Sequence, residues 1–162
     1  MNKSQNGVEL NFIPIKPDKH RDIVIRFRRD SYRVSFGTDH NLDLDEYLSF
    51  LNEKVEKFPA GFVLVEYEDE VIGQLELSVR YYNGRQIGYV HLYYLIPSKR
   101  GKGLGEKLQE YAESFFKKHG VSEFHLRVSP TNKQARAFYR KLGMEESGLE
   151  VDGKVIRMIG QI

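Results

Sequence analysis

The 162-residue chain contains no cysteine, which excludes disulfides, thiolate metal sites and a cysteine nucleophile. It has no apolar run approaching the roughly 20 residues that a membrane-spanning helix needs. An excess of one charge is missing as well: 25 Lys and Arg face 23 Asp and Glu, for a formal net charge of +2. That is too little to argue for nucleic-acid binding, so any basic residue that matters acts locally. No internal repeat, low-complexity tract or long linker interrupts the chain. Residues 1–7 are polar and carry no signal-peptide core. The expectation is a single domain over 1–162, with a frayed tail at 1–7 and a cytoplasmic location. No two histidines have metal-ligand spacing, so no metal is expected. No Gly-x-Ser-x-Gly elbow supports a serine hydrolase.

What is present reads as alternating elements. A strand is expected over residues 8–15, ended by Pro14 and Pro17. Asp18 is in place to cap a helix running to about Phe36. A second helix, about 42–57, carries Leu44, Tyr47, Leu48, Leu51 and Val55 at helical spacing. After Gly61 the period changes to that of strands: 62–67, 71–81, and 86–96 beyond the turn Asn83-Gly84. A helix over about 104–119 follows, with Gly120 in C-cap position. A strand over 123–129 leads to Thr131-Asn132-Lys133-Gln134, a capping box with Thr131 as cap, opening a helix to about Leu142. Two short strands close the chain. The order is βααβββαβαββ, an α/β (α+β) domain with a mixed sheet and helices on both faces.

The stretch Pro97-Ser98-Lys99-Arg100-Gly101-Lys102-Gly103-Leu104-Gly105 gathers three glycines and three cations at a strand-to-helix join. A helix N-terminus offers unpaired N–H groups and the positive end of its dipole. Glycines leave those N–H groups accessible to phosphate, and Arg100 and Lys102 add charge. A plain turn with solvated cations is the competing reading. The stretch fails as a P-loop, because Ile96 stands where the first glycine belongs. It fails as a dinucleotide fingerprint, because Glu106 takes the third glycine position.

A third pattern fits. Arg100-Gly101-Lys102-Gly103-Leu104-Gly105 resembles the Arg/Gln-x-x-Gly-x-Gly/Ala pyrophosphate loop of the GNAT superfamily of N-acetyltransferases, and "NKQARAFYRKLGME", from Asn132, resembles that family's second conserved block. The likeness is strong over about 62–162; before that, only the number and order of helices agree. It implies a mostly antiparallel sheet of about seven strands. It also implies acetyl-CoA as co-substrate and transfer of its acetyl group to a primary amine by direct attack in a ternary complex. A non-catalytic acyl-CoA-binding or sensing module of the same fold is the alternative.

The resemblance carries roles to individual positions. Arg100, Gly101, Lys102, Gly103, Leu104 and Gly105 would wrap the pyrophosphate. Leu95 and Ile96 would give main-chain contacts to pantetheine, unless they serve sheet pairing alone. Asn132 would bond pantetheine or a water, or serve only the helix start. Tyr139 would be the general acid toward the departing CoA thiolate, or an amphipathic packing residue. The base is open. His91 lies about where the family often has Glu, alternation groups it with Tyr93 and Leu95, and Glu76 is the second candidate; a packed histidine is the bland reading. Tyr81, Tyr82, Tyr93 and Tyr94 would form an aromatic wall for the acceptor, a small-molecule or peptide amine. Asp43, Asp45 and Glu46 suit an exposed helix start better than a cation site. A nucleic-acid partner would have to use Arg26, Arg28, Arg29 and Arg33, which acids balance. No membrane partner is expected, and an edge strand near the C-terminus leaves room for a homodimer.

Overall fold

The structure, a computed structural model, describes residues 9–162. The expected tail at 1–7, and Val8 of the expected first strand, lie outside the described residues. The elements follow the expected order: β1 (Asn11–Pro14), α1 (Arg21–Phe36), α2 (Leu44–Lys57), β2 (Phe62–Tyr67), β3 (Glu70–Tyr82), β4 (Arg85–Leu95), a 3-10 turn at Pro97–Lys99, α3 (Leu104–Lys118), β5 (Glu123–Val128), α4 (Lys133–Lys141), β6 (Glu145–Glu150) and β7 (Val155–Gln161). No helix among the described residues is long and apolar enough to cross a membrane.

Seven strands form one sheet in the order β1-β2-β3-β4-β5-β7-β6. Every adjacent pair is antiparallel except β4 with β5. The pleat sorts side chains into two cores. Phe62 and Leu64 of β2 turn one way and pack with Val24 and Phe27 of α1 and Tyr47 and Leu51 of α2. Val63 and Val65 turn the other way, toward Leu104, Leu108, Ala112, Phe115 and Phe116 of α3. Each fully buried side chain of this size contributes roughly 1.5–3 kcal/mol, so the two layers hold the sheet from both sides.

Two helix starts differ from expectation. His20, not Asp18, is the N-cap of α1, and it makes no side-chain cap bond. The chain before it folds into a turn in which the Lys16 N–H donates to His20 Nδ1 at 2.9 Å. On α4 the cap is Asn132 rather than Thr131, its Oδ1 accepting from the Ala135 N–H at 3.1 Å. Thr131 instead pairs its hydroxyl with that of Ser129. The acids at the start of α2 do serve the helix: Asp43 accepts from the Glu46 N–H at 3.0 Å.

The feature that positions the site is in β4. Its register against β3 places Leu77 opposite Val90 but Glu76 opposite Leu92, so His91 is an extra, bulged residue. A bulge bends its strand and increases local twist. Pairing with β5 ends at the same place: only Gly88, Tyr89 and Val90 have β5 partners, and residues 91–95 diverge. The bulge also breaks the expected alternation. Tyr93 and Leu95 pack on the α3 side, whereas the His91 ring lies 5.2 Å from Phe50 and 5.8 Å from Phe62, on the side of α1 and α2.

Candidate active site

The splay between β4 and β5 opens a cleft of about 610 Å³, walled by β4, the start of α3, the end of β5, α4 and the C-terminal half of α1. Gly101, Gly103 and Gly105 line it together with Leu95, Asn132, Tyr139 and His91. Expected site residues that are far apart in sequence thus meet in one space.

At the glycine-rich end, Gly103 is the N-cap of α3 and adopts φ +82°, a left-handed conformation that a Cβ would strain. As at any helix start, the first N–H groups of α3 have no helical carbonyl to pair with. Gly105 has a different reason: a Cβ there would sit 2.6 Å from the Phe138 ring of α4. Its bareness lets the two helices that frame the cleft approach each other. Leu104 points into the core, only 8% exposed, and Lys102 is exposed and outside the lining.

Arg100 is engaged with protein. Its Nε donates to the Leu95 carbonyl at 2.8 Å, its Nη2 donates to Asp30 of α1 at 2.8 Å, and its guanidinium lies 5.3 Å from the Tyr94 ring. The Tyr94 hydroxyl donates to the same Asp30 oxygen at 2.6 Å. Burial pushes the Asp30 carboxyl upward, but the hydrogen bonds from Tyr94 and Arg100 outweigh it and hold the group below its ordinary range. Arg100 therefore pins the loop to β4 and α1. Ile96 has both backbone groups in use, its N–H donating to the Ile72 carbonyl and its carbonyl accepting from the Lys99 N–H. The open edge of β4 is the preceding segment, residues 91–95.

Tyr139 reaches the cleft from α4, its ring 6.1 Å from that of Tyr93, and its hydroxyl has no hydrogen-bond partner among the described residues. Burial pushes the phenol up to about 12. Asn132 also lines the cleft; with Oδ1 spent on the cap, its Nδ2 is the group left for a ligand. His91 bonds Ser78 Oγ through Nε2 at 2.7 Å. Burial, reinforced by Arg80, Lys54 and Arg28, pulls its pKa down to about 3, so the imidazole is neutral and a weak base. Glu76 is buried beside the cleft rather than lining it. Its Oε2 accepts from the Tyr47 hydroxyl at 2.6 Å and from Gln74 Nε2 at 2.8 Å. Burial raises its pKa above the ordinary carboxylate range, against the Tyr47 bond, the charge of Arg28 and the Gln74 bond.

The expected aromatic wall divides. Tyr93 and Tyr94 line the cleft, whereas Tyr81 is 73% exposed and Tyr82 packs against His125, both outside the lining. The arginines of α1 do not form one patch either. Arg33 pairs with Asp39 at 2.9 Å, and Arg28 turns into the cleft. Asp30 was not singled out in the sequence, and Arg28 only as one of four arginines for a nucleic-acid partner; its position four residues after Val24, which is buried on the inner face of α1, is the signal that places it there.

The chain is similar to known proteins in sequence and fold. The model of the acetyltransferase (GNAT) family matches residues 22–144. A protein of Archaeoglobus fulgidus named as an uncharacterised N-acetyltransferase is 26% identical over 134 residues, covering 78% of this chain and 89% of the relative. A type 1 aminoglycoside N(6')-acetyltransferase of Klebsiella aerogenes is 29% identical over 105 residues, covering 62% and 69%. Among solved structures, the PaiA N-acetyltransferase of Thermoplasma acidophilum, determined in complex with coenzyme A, superposes with a TM-score of 0.68 at 22% identity, over 95% of this chain and 99% of that one.

Proposed function

The chain belongs to the GNAT acetyltransferase family, and from that premise we propose that it transfers the acetyl group of acetyl-CoA to a primary amine by direct attack within a ternary complex. The observation that carries the reading is the cleft itself, which joins the unpaired N–H groups at the start of α3, the open edge of β4 and the unpartnered Tyr139 hydroxyl.

In this reading the pyrophosphate lies across residues 101–105, held by backbone N–H groups at the positive end of α3. Pantetheine runs along the open edge of β4 with Asn132 Nδ2 at its side. A β4 N–H facing the thioester oxygen stabilises the charge that develops there. The amine nitrogen forms its bond to the carbonyl carbon, the carbon–sulfur bond breaks, and the nitrogen gives up a proton. At about 12, Tyr139 lies about 3.5 units above a thiol near 8.5, so full proton transfer to the thiolate is uphill by about 5 kcal/mol. Its contribution is a hydrogen bond to the developing thiolate. Of the two expected bases, Glu76 has the pKa direction suited to taking a proton, and His91 has the opposite one.

Turnover with acetyl-CoA and a panel of amines tests the reading, alongside thermal unfolding with and without CoA. Bound donor raises the melting temperature by mass action. A CoA-dependent shift with turnover supports the enzyme. A shift without turnover of any amine supports the non-catalytic module, and the absence of any shift overturns both.

A further inference from the structure

Arg28 is a cation of the cleft lining whose guanidinium has no hydrogen-bond or ion-pair partner among the described residues. Its Nε is buried without a hydrogen-bond partner, and no other hydrogen bond or ion pair of its guanidinium occurs among the described residues. It is held only by rings, 4.9 Å from Tyr47 and 5.8 Å from Tyr32. Leaving a buried donor unsatisfied costs roughly 1–3 kcal/mol, more for a charged group. Such a group in a ligand cleft is set up for a partner that arrives with the ligand.

That partner is not the CoA pyrophosphate. Arg28 and Asp30 are two residues apart on α1, about 200° around the helix axis. Asp30 faces Arg100 and the glycine loop, so Arg28 faces away from it, toward Tyr47 of α2 and the buried Glu76 of β3. Ser31, Tyr32 and Ser35 share its face at helical spacing and also line the cleft, adding hydroxyl groups beside the guanidinium. The neighbouring Glu76 does not meet the need, because its Oε2 is occupied by Tyr47 and Gln74 and it forms no ion pair with Arg28.

We propose that Arg28, with Ser31 and Ser35, binds a carboxylate of the acceptor, so that the acceptor is an amine carrying a carboxylate close to its nitrogen, as a free amino acid does. The inference rests on the acetyl-transfer reading above. A planar guanidinium forks onto a carboxylate in two parallel hydrogen bonds. A phosphate dianion would want a second cation or a helix N-terminus, and α1 presents its C-terminal half here.

The test compares turnover of free L-amino acids, their carboxamides and simple alkylamines by the wild type, Arg28→Gln and Arg28→Lys. Expected is a kcat/KM at least tenfold higher for the best acid than for its amide. Arg28→Gln should raise the KM for that acid tenfold or more and leave the KM for acetyl-CoA within twofold. Arg28→Lys keeps charge but loses the fork, and should fall between. The wild-type comparison of acid with amide stands even if a variant fails to fold. Amides or alkylamines used as well as acids overturn the inference and leave acetyl transfer intact. So does an Arg28→Gln variant that loses stability but keeps the acid preference, which makes Arg28 a packing residue. No turnover of any amine, by contrast, overturns the acetyl-transfer reading beneath it.

Discussion

Tyr139 combines a position in the cleft with a hydroxyl that no group among the described residues bonds. Tyr139→Phe should lower kcat about 10- to 100-fold while CoA affinity, measured by titration, changes little. Because the phenol is pushed up to about 12, its ionisation should leave no basic limb in the rate profile below pH 10. Asp30 acts one step further away, through Arg100. Asp30→Asn removes the anchor of the glycine loop and should raise the KM for acetyl-CoA several-fold, with kcat much less affected in steady-state assays. His91 contributes to stability with a definite sign. Unfolded it titrates near 6.5 and folded near 3, so between those values the unfolded chain binds more protons and stability falls as pH drops. The slope approaches about 1.4 kcal/mol per pH unit, and denaturant titrations of His91→Asn should show it flattened. Tyr139 and the loop glycines were legible because a motif fixes them by spacing alone. Asp30 was not, since it meets Arg100 across 70 residues of chain, and no local pattern encodes that meeting.

The loop and its helix show how one element can carry two different demands. Gly103 is needed for its φ of +82°, and Gly105 for the space taken by Phe138. Gly103→Ala should therefore strain the loop by about 1–2 kcal/mol and weaken CoA binding. Gly105→Ala should lower stability by about 1–3 kcal/mol through overpacking; adding Phe138→Leu should recover part of that loss in thermal unfolding. In the sequence the two glycines look alike, because the second reason lies on α4. The helices and the β3–β4 hairpin were readable from periodicity and from Asn83-Gly84, both at positive φ. The bulge at His91 was not readable. Alternation in one strand carries no information about the register of its neighbour, and the extra residue exists only relative to β3. The cap of α4 missed by one residue because Thr131 and Asn132 are both good cap residues.

At the scale of the whole molecule, hairpins were predictable from their turns, but the placement of β7 between β5 and β6 was not, because no turn signal marks which strand a returning chain will join. The same sheet is weakest where it matters: β4 and β5 share three paired positions, while α1 and α2 pack on one side and α3 on the other. In the proposed reading, a donor seated between β4 and β5 would substitute for the missing ladder. Amide hydrogen exchange over 91–95 should slow markedly in saturating CoA, and exchange over 62–67, already sandwiched between both cores, should not. The bulge also implies a rule about length. The gap proposed to admit the donor follows from the number of residues in β4 and not from the identity of any side chain. Substitutions throughout α1 can thus retune the acceptor while the opening persists, whereas deletion of the single residue His91 would let β4 zip onto β5. Such a protein would trade a ligand passage for extra hydrogen bonds: sturdier, and sealed.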